Sequence, residues 1–200
     1  MIMDGPKIVL FTGFLGSGKT SLLLRCAKNL AETKKRSAII VNEVGEIGID
    51  NLQMKKMGYA VWEIFGGCIC CTLAISLEDT LTQLMANYEL DYILIEPSGA
   101  ADPAAIYPAL SHSGFSKEQI RNVMILDPTR IEMFEAVLEP YLAASVPLAD
   151  FAVINKIDVA AADEIKKTEE VIKQYHQDLP TVQIDVKHLV NEQIPKIIGG

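Results

Sequence analysis

Four cysteines in 200 residues are too few for a disulfide scaffold. No apolar run reaches the ~18–20 residues a membrane span needs, so no membrane partner is expected. Basic side chains are the minority: 18 Lys and Arg stand against 26 Asp and Glu, giving a formal net charge of −8 and a pI of about 4.9. A dedicated nucleic-acid binder shows a basic field, so no nucleic-acid partner is expected either. The N-terminus lacks the basic start, long apolar stretch and small-residue cleavage site of a secretory signal. The expected location is therefore cytoplasmic, with cysteines reduced and available for metal or redox chemistry. No repeat, low-complexity tract or Pro/Gly/Ser linker marks a second domain. The three histidines, His112, His176 and His188, form no ligand spacing and receive no role.

What is present is a chain that is 50% hydrophobic, which excludes a disordered protein, and of a length suited to one domain over residues 1–200. Apolar, strand-like runs occur at Lys7–Phe11, Ala38–Val41, Ala60–Phe65, Tyr92–Ile95, Val123–Leu126, Phe151–Ile154 and Val182–Ile184. Several are continuous rather than alternating, as in strands covered on both faces. Helical spacing lies between them. Leu22, Cys26 and Leu30 form one row, and Leu73, Leu77, Leu81, Leu84, Met85 and Tyr88 a second. Ile131, Phe134, Val137, Leu138, Tyr141 and Leu142 form a third, and Ile165, Val171, Ile172 and Tyr175 a fourth. This alternation predicts an α/β fold: three layers, with a mostly parallel sheet and helices on both faces.

Gly13-Phe14-Leu15-Gly16-Ser17-Gly18-Lys19-Thr20 fits G-x-x-x-x-G-K-[ST] at every defined position. Its glycines let successive backbone N–H groups turn inward around phosphates. Lys19 would reach the β- and γ-phosphates, and the Thr20 hydroxyl would ligate Mg²⁺. A helix starting near Lys19, with Ser21 in its first turn, adds its positive end. A strand before and an amphipathic helix after are the context this phosphate-loop motif requires.

Asn155-Lys156-Ile157-Asp158 follows the strand Phe151–Ile154. Asp158 can accept from guanine N1–H and the exocyclic amine together, a donor pair adenine lacks. Lys156 would lay its stem along the base and Asn155 would brace the loops. GTP and GDP are therefore the expected ligands; an ATP-dependent, kinase-like transferase is the competing use of the same loop.

Tyr92-Ile93-Leu94-Ile95-Glu96 ends an apolar strand in an acid, which is expensive without a cation. Glu96 is expected to be the second Mg²⁺ acid, acting through water, or else a helix-capping carboxylate. Gly99 would bring a backbone N–H to the γ-phosphate. The acidic loop Asn42–Asp50 suits a switch that senses that phosphate. Within it Glu46 and Asp50 are candidates for Mg²⁺ coordination or water positioning, or are simply solvated. Lys19, Glu46 and Glu96 are the candidate catalytic groups.

Cys68, Cys70 and Cys71 fall within four positions, after glycines and at the start of a helix. Thiolates there have lowered pKa values, which favours metal binding. Three thiolates leave a tetrahedral site short of a ligand, which Glu46, water or a client protein could supply. A redox pair and simple packing remain open for this cluster, and an Fe–S site would want four thiolates. Cys26 lies on the apolar row of the first helix and reads as core.

Taken together, GFLGSGKT, NEVGEIGID, GGCICC, EPSGAADP and NKID, in this order, make the chain similar to the CobW-type GTPases of the CobW/HypB/UreG group. The resemblance implies slow GTP hydrolysis coupled to delivery of a metal, Zn²⁺ or Co²⁺, or to maturation of a metalloenzyme or corrinoid-system client. It also implies a nucleotide-dependent homodimer. Many such proteins carry a further C-terminal domain, whereas this sequence ends at Gly200. The alternative is a GTP-regulated protein–protein adaptor whose cysteines hold a structural metal.

Overall fold

The computed structural model describes the backbone of residues 5–41, 60–63, 72–97 and 103–199, and the side chains of 5–41, 77–97 and 104–199. Its strands are β1 (Lys7–Thr12), β2 (Ser37–Val41), β3 (Ala60–Glu63), β4 (Tyr92–Glu96), β5 (Ile120–Leu126), β6 (Phe151–Ile154) and β7 (Thr181–Gln183). They form one seven-stranded sheet in the order β3-β2-β4-β1-β5-β6-β7, with every pairing parallel. The helices are α1 (Lys19–Glu32), α2 (Thr72–Asn87), α3 (Ile106–His112), α4 (Ile131–Val137), α5 (Glu139–Ser145), α6 (Ala162–Tyr175) and α7 (Ile194–Ile198).

Successive strand residues face opposite sides, and both sides are buried. Val9, Phe11, Ile39, Leu94, Val123, Ile125 and Val153 pack against α1 and the C-terminal segment that includes α7. On the other side, Ile8, Leu10, Ile40, Ile93 and Ile95 meet Leu77, Leu81 and Leu84 of α2 and Ile106 and Leu110 of α3. Farther along that side, Met124, Leu126, Ala152 and Ile154 meet Ile131 and Phe134 of α4, Leu142 of α5, and Val171 and Ile172 of α6. The result is the expected α/β sandwich of three layers, its sheet wholly parallel among the described residues.

The structure departs from the sequence pattern in three places. The third apolar row is two helices rather than one, broken at Leu138, whose φ of −119° and ψ of 22° leave the helical region. Pro140, in the first turn of α5, cannot donate to the preceding turn and ends the continuity. Met85 and Tyr88 at the end of the second row are exposed, as is Val137 in the third. Helix α7 lies where no helix was expected, and the helix expected near Ala101 is α3, which starts at Ile106.

Since β4 and β5 flank β1, the chain leaves β1 toward one side of the sheet and later returns to the other. In open α/β sheets ligands bind beyond the carboxyl ends of the strands at such a switch point. The residues just there are Gly13 after β1, Glu96 ending β4, Asp127 after β5 and Asn155 after β6.

Candidate nucleotide-binding site

The turn from β1 into α1 is shaped by two glycines, Gly13 and Gly18, whose neighbours leave no room for a side chain. Gly13 has φ +131°, and a Cβ there would lie 2.2 Å from the Ile125 carbonyl oxygen. Gly18, the N-cap of α1, has φ +103°, and its Cβ would lie 2.2 Å from Asn155 Nδ2. No side chain caps α1, so the first-turn N–H groups keep the positive helix end available to an anion. The Ser17 hydroxyl is buried with no hydrogen-bond partner among the described residues. Phe14 anchors the loop by edge-on contacts to Phe134 and Tyr141, with ring centroids 5.3 and 6.2 Å away. Gly16 lies beside Arg130, whose Nη1 donates to the Leu15 carbonyl at 3.2 Å. Ser21 is on the exposed side of the first turn of α1.

Lys19 is only 4% exposed; its Nζ donates to the Phe14 carbonyl at 3.4 Å and lies 3.7 Å from Glu96 Oε1. Burial lowers the Lys19 pKa from the ordinary lysine value, and the adjacent Glu96 carboxylate pulls it part of the way back. Thr20 Oγ1 donates to the same Glu96 oxygen at 3.0 Å. The structure thus brings Lys19, Thr20 and Glu96 together from the loop and from the end of β4. A hydroxyl and a carboxylate are the hard oxygen donors that Mg²⁺ takes alongside phosphate oxygens, so this pair fits that ion.

Asn155 is 1% exposed and ties three segments together. Its Nδ2 donates to the Ser17 carbonyl at 2.8 Å, and its Oδ1 accepts from Val186 N at 3.0 Å. Lys156 adopts the left-handed conformation, φ +61°, and its Nζ donates to Asp127 Oδ2 at 2.6 Å. Asp158 is partly exposed, 3.8 Å from Lys187 Nζ. The sequence motifs did not single out Asp127 or Arg130. Asp127 is 1% exposed; its Oδ1 accepts from Thr129 N and Oγ1 at 3.1 and 2.7 Å, and Arg130 Nε lies 3.9 Å from Oδ2. The signal was present: an acid directly after the apolar run Val123–Leu126, the same feature that marks Glu96.

Glu46, Asp50, Cys68, Cys70, Cys71 and Gly99 lie outside the described residues. Among the described residues no group of three or more His, Cys, Asp or Glu could hold a metal ion. Cys26 is fully buried in the core, where desolvation pushes its thiol up to about 12 and keeps it protonated. No helix among the described residues is long and apolar enough to cross a membrane.

A parallel sheet whose first strand feeds a glycine loop, an uncapped helix end, a buried lysine and a Thr–Glu pair defines a phosphate-loop nucleotide-binding domain. The sequence model of the CobW/HypB/UreG nucleotide-binding domain matches residues 7–183, and the chain belongs to this family. Escherichia coli K12 YeiR, named a zinc chaperone, is 32% identical over 151 residues, covering 74% of this chain and 46% of that protein. Zinc chaperone YjiA of the same organism is 29% identical over 189 residues, covering 91% of this chain and 58% of that protein. The chain therefore spans about half the length of these curated relatives. Relatives named zinc-regulated GTPase metalloprotein activator 1 include one from Schizosaccharomyces pombe, 27% identical over 85% of this chain and 43% of that protein. The crystal structure of the hydrogenase maturation factor HypB from Archaeoglobus fulgidus shares the fold, with TM-score 0.74 and 20% identity over 98% of this chain and 90% of that one.

Proposed function

We propose that this chain is a single Mg²⁺-dependent GTPase unit over residues 1–200, whose nucleotide state governs delivery of a transition metal, zinc or cobalt, to a metalloenzyme or corrinoid-system client. The observation that carries the nucleotide half is the convergence of Lys19, Thr20 and Glu96 at a loop that Asn155 clasps to the base-reading tetrad. The names of the relatives carry the metal half.

In this reading the loop N–H groups and the N-terminus of α1 hold the α- and β-phosphates. Thr20 and Glu96 would hold Mg²⁺, which would supply positive charge against the phosphate oxygens. Lys19 lies in a nearly dry setting, where its charge acts strongly on oxygens that gain negative charge as the γ-phosphoryl transfers to water. Asp158 reads guanine N1–H and the exocyclic amine, and Gly99 offers its N–H to the γ-phosphate. Glu46 and Asp50 position the water or complete the Mg²⁺ shell. Cys68, Cys70 and Cys71, with Glu46, hold the metal cargo. A homodimer formed across the nucleotide, in the cytoplasm, completes the proposal.

The test is a titration of the reduced protein with Zn²⁺ and with Co²⁺, in its GDP form and with a non-hydrolysable GTP analogue. Coupling between sites is reciprocal and falls typically at about 5–150-fold, so metal affinity should differ between the two forms by that order. Equal affinity in both forms removes metal gating; in a parallel competition of ADP against GDP for the metal-free protein, a preference for ADP removes the guanine assignment.

A further inference from the structure

We infer that Asp127 is a positioning residue for guanine binding: it fixes the Lys156 side chain as a wall for the base and links that wall to the phosphate loop. The inference rests on the GTP reading above and adds to it a residue outside the sequence motifs. Lys156 follows the last strand residues of β6 in a left-handed conformation, φ +61°, which non-glycine residues hold only when their surroundings impose it. Its flexible four-carbon stem would otherwise sample many rotamers, each an entropy loss when a base docks. Asp127 removes that freedom in advance. Its carboxylate is 1% exposed, sits after the neighbouring strand β5, and takes the Lys156 ammonium at 2.6 Å on Oδ2.

The carboxylate is itself immobilised. Thr129 N and Oγ1 hold Oδ1, so the oxygen facing Lys156 has a fixed direction. Asn155 N donates to the Leu126 carbonyl at 2.9 Å, which sets the spacing between the two strand ends. Arg130, 3.9 Å from Asp127 Oδ2, donates to the Leu15 carbonyl of the phosphate loop. A charge-assisted pair in this setting has a large effect when one partner is lost, since the other stays buried in a polar gap. Asp127 acts on the base through Lys156, which it bonds directly.

A double-mutant cycle with a fluorescent GDP analogue tests this: wild type, Asp127→Asn, Lys156→Met and the double variant, each checked for folding by circular dichroism. Methionine keeps an unbranched apolar stem of nearly the same length, with a thioether sulfur in place of Cδ, and lacks the ammonium. Each single variant should weaken GDP binding roughly tenfold, and the double variant by no more than either single one. ADP, bound mainly through its phosphates, should lose less than GDP in every variant. Losses that multiply in the double variant, or fall equally on GDP and ADP, overturn the inference while leaving the GTPase reading intact. Should Asp127→Asn not fold, Lys156→Met decides alone: weakened GDP binding supports the anchored wall, and wild-type binding overturns it. A wild-type protein with no preference for GDP over ADP overturns the GTPase reading, and this inference with it.

Discussion

Gly13 and Gly18 share a loop and a positive φ, yet their side-chain-sized spaces are blocked by different things. At Gly13 the obstacle is the Ile125 carbonyl oxygen of the central sheet, which cannot turn aside. At Gly18 it is the Asn155 amide, a side chain that can move, at the loss of its hydrogen bond to the Ser17 carbonyl. The two alanine variants should therefore fail differently. Gly13→Ala is expected to lower unfolding free energy by about 3 kcal/mol, from backbone strain and displacement of β5. Gly18→Ala should cost about 1–2 kcal/mol in stability but most of the nucleotide affinity, because the clasp between tetrad and phosphate loop opens. Urea unfolding and fluorescent-nucleotide titration on both variants check this. A Gly18→Ala protein with wild-type affinity would show that the Asn155 clasp is dispensable.

At the scale of elements, the starts of β1, β2 and β4 meet at Asp91. Lys7 N donates to the Asp91 carbonyl, Asp91 N and Tyr92 N donate to the Arg36 carbonyl, and Arg36 N donates to Asp91 Oδ2 at 2.8 Å. That backbone N–H, foremost, with Lys35 and Arg36 nearby, holds the Asp91 carboxyl below its ordinary value of 3.8. The folded pKa is lower than the unfolded one, so the stabilisation is full above 3.8 and is lost as pH falls through the folded value. Asp91→Asn should be less stable than wild type at pH 7, and the deficit should close as denaturation is repeated at progressively lower pH. A deficit constant with pH would assign the effect to packing. Which elements could be read from sequence follows the same local logic. The strands were legible because burial on both faces leaves unbroken apolar runs, and the phosphate loop because its backbone path demands glycine at fixed spacing. The break between α4 and α5 was hidden by an apolar period that continues through Leu138, although Pro140 marked it. At Asp127 the acid closing an apolar run was visible in the chain, but its partner was not: Lys156 is 29 residues away and meets it only when β5 and β6 are side by side.

At the scale of the molecule, the segment after β7 is part of the core. Ile184, Val186, Leu189, Ile194, Ile197 and Ile198 are all at most 7% exposed and pack with α1 and the central strands. Arg121 donates to the Ile197 and Lys196 carbonyls, and Lys7 to the Gly199 carbonyl, fastening α7 to the sheet. The same segment reaches the nucleotide side, where Val186 N meets Asn155 and Arg25 bonds the Leu189 carbonyl. Burying these six side chains is worth on the order of 10 kcal/mol, comparable with a whole domain's net stability of about 5–15 kcal/mol. The family match ends at residue 183, so a chain cut there would contain every motif and still lack this cover. Ile194→Ala isolates the effect, because Ile194 is fully buried and distant in sequence from the site residues. It should lower unfolding free energy by about 2–5 kcal/mol with an unchanged urea m-value. Ligand that binds only the native state should then offset part of the loss: GDP and Mg²⁺ at ~100 times Kd add about 2.7 kcal/mol. A loss below about 0.5 kcal/mol in the unliganded protein would make the segment a peripheral appendage, and the core would have to be redrawn without it.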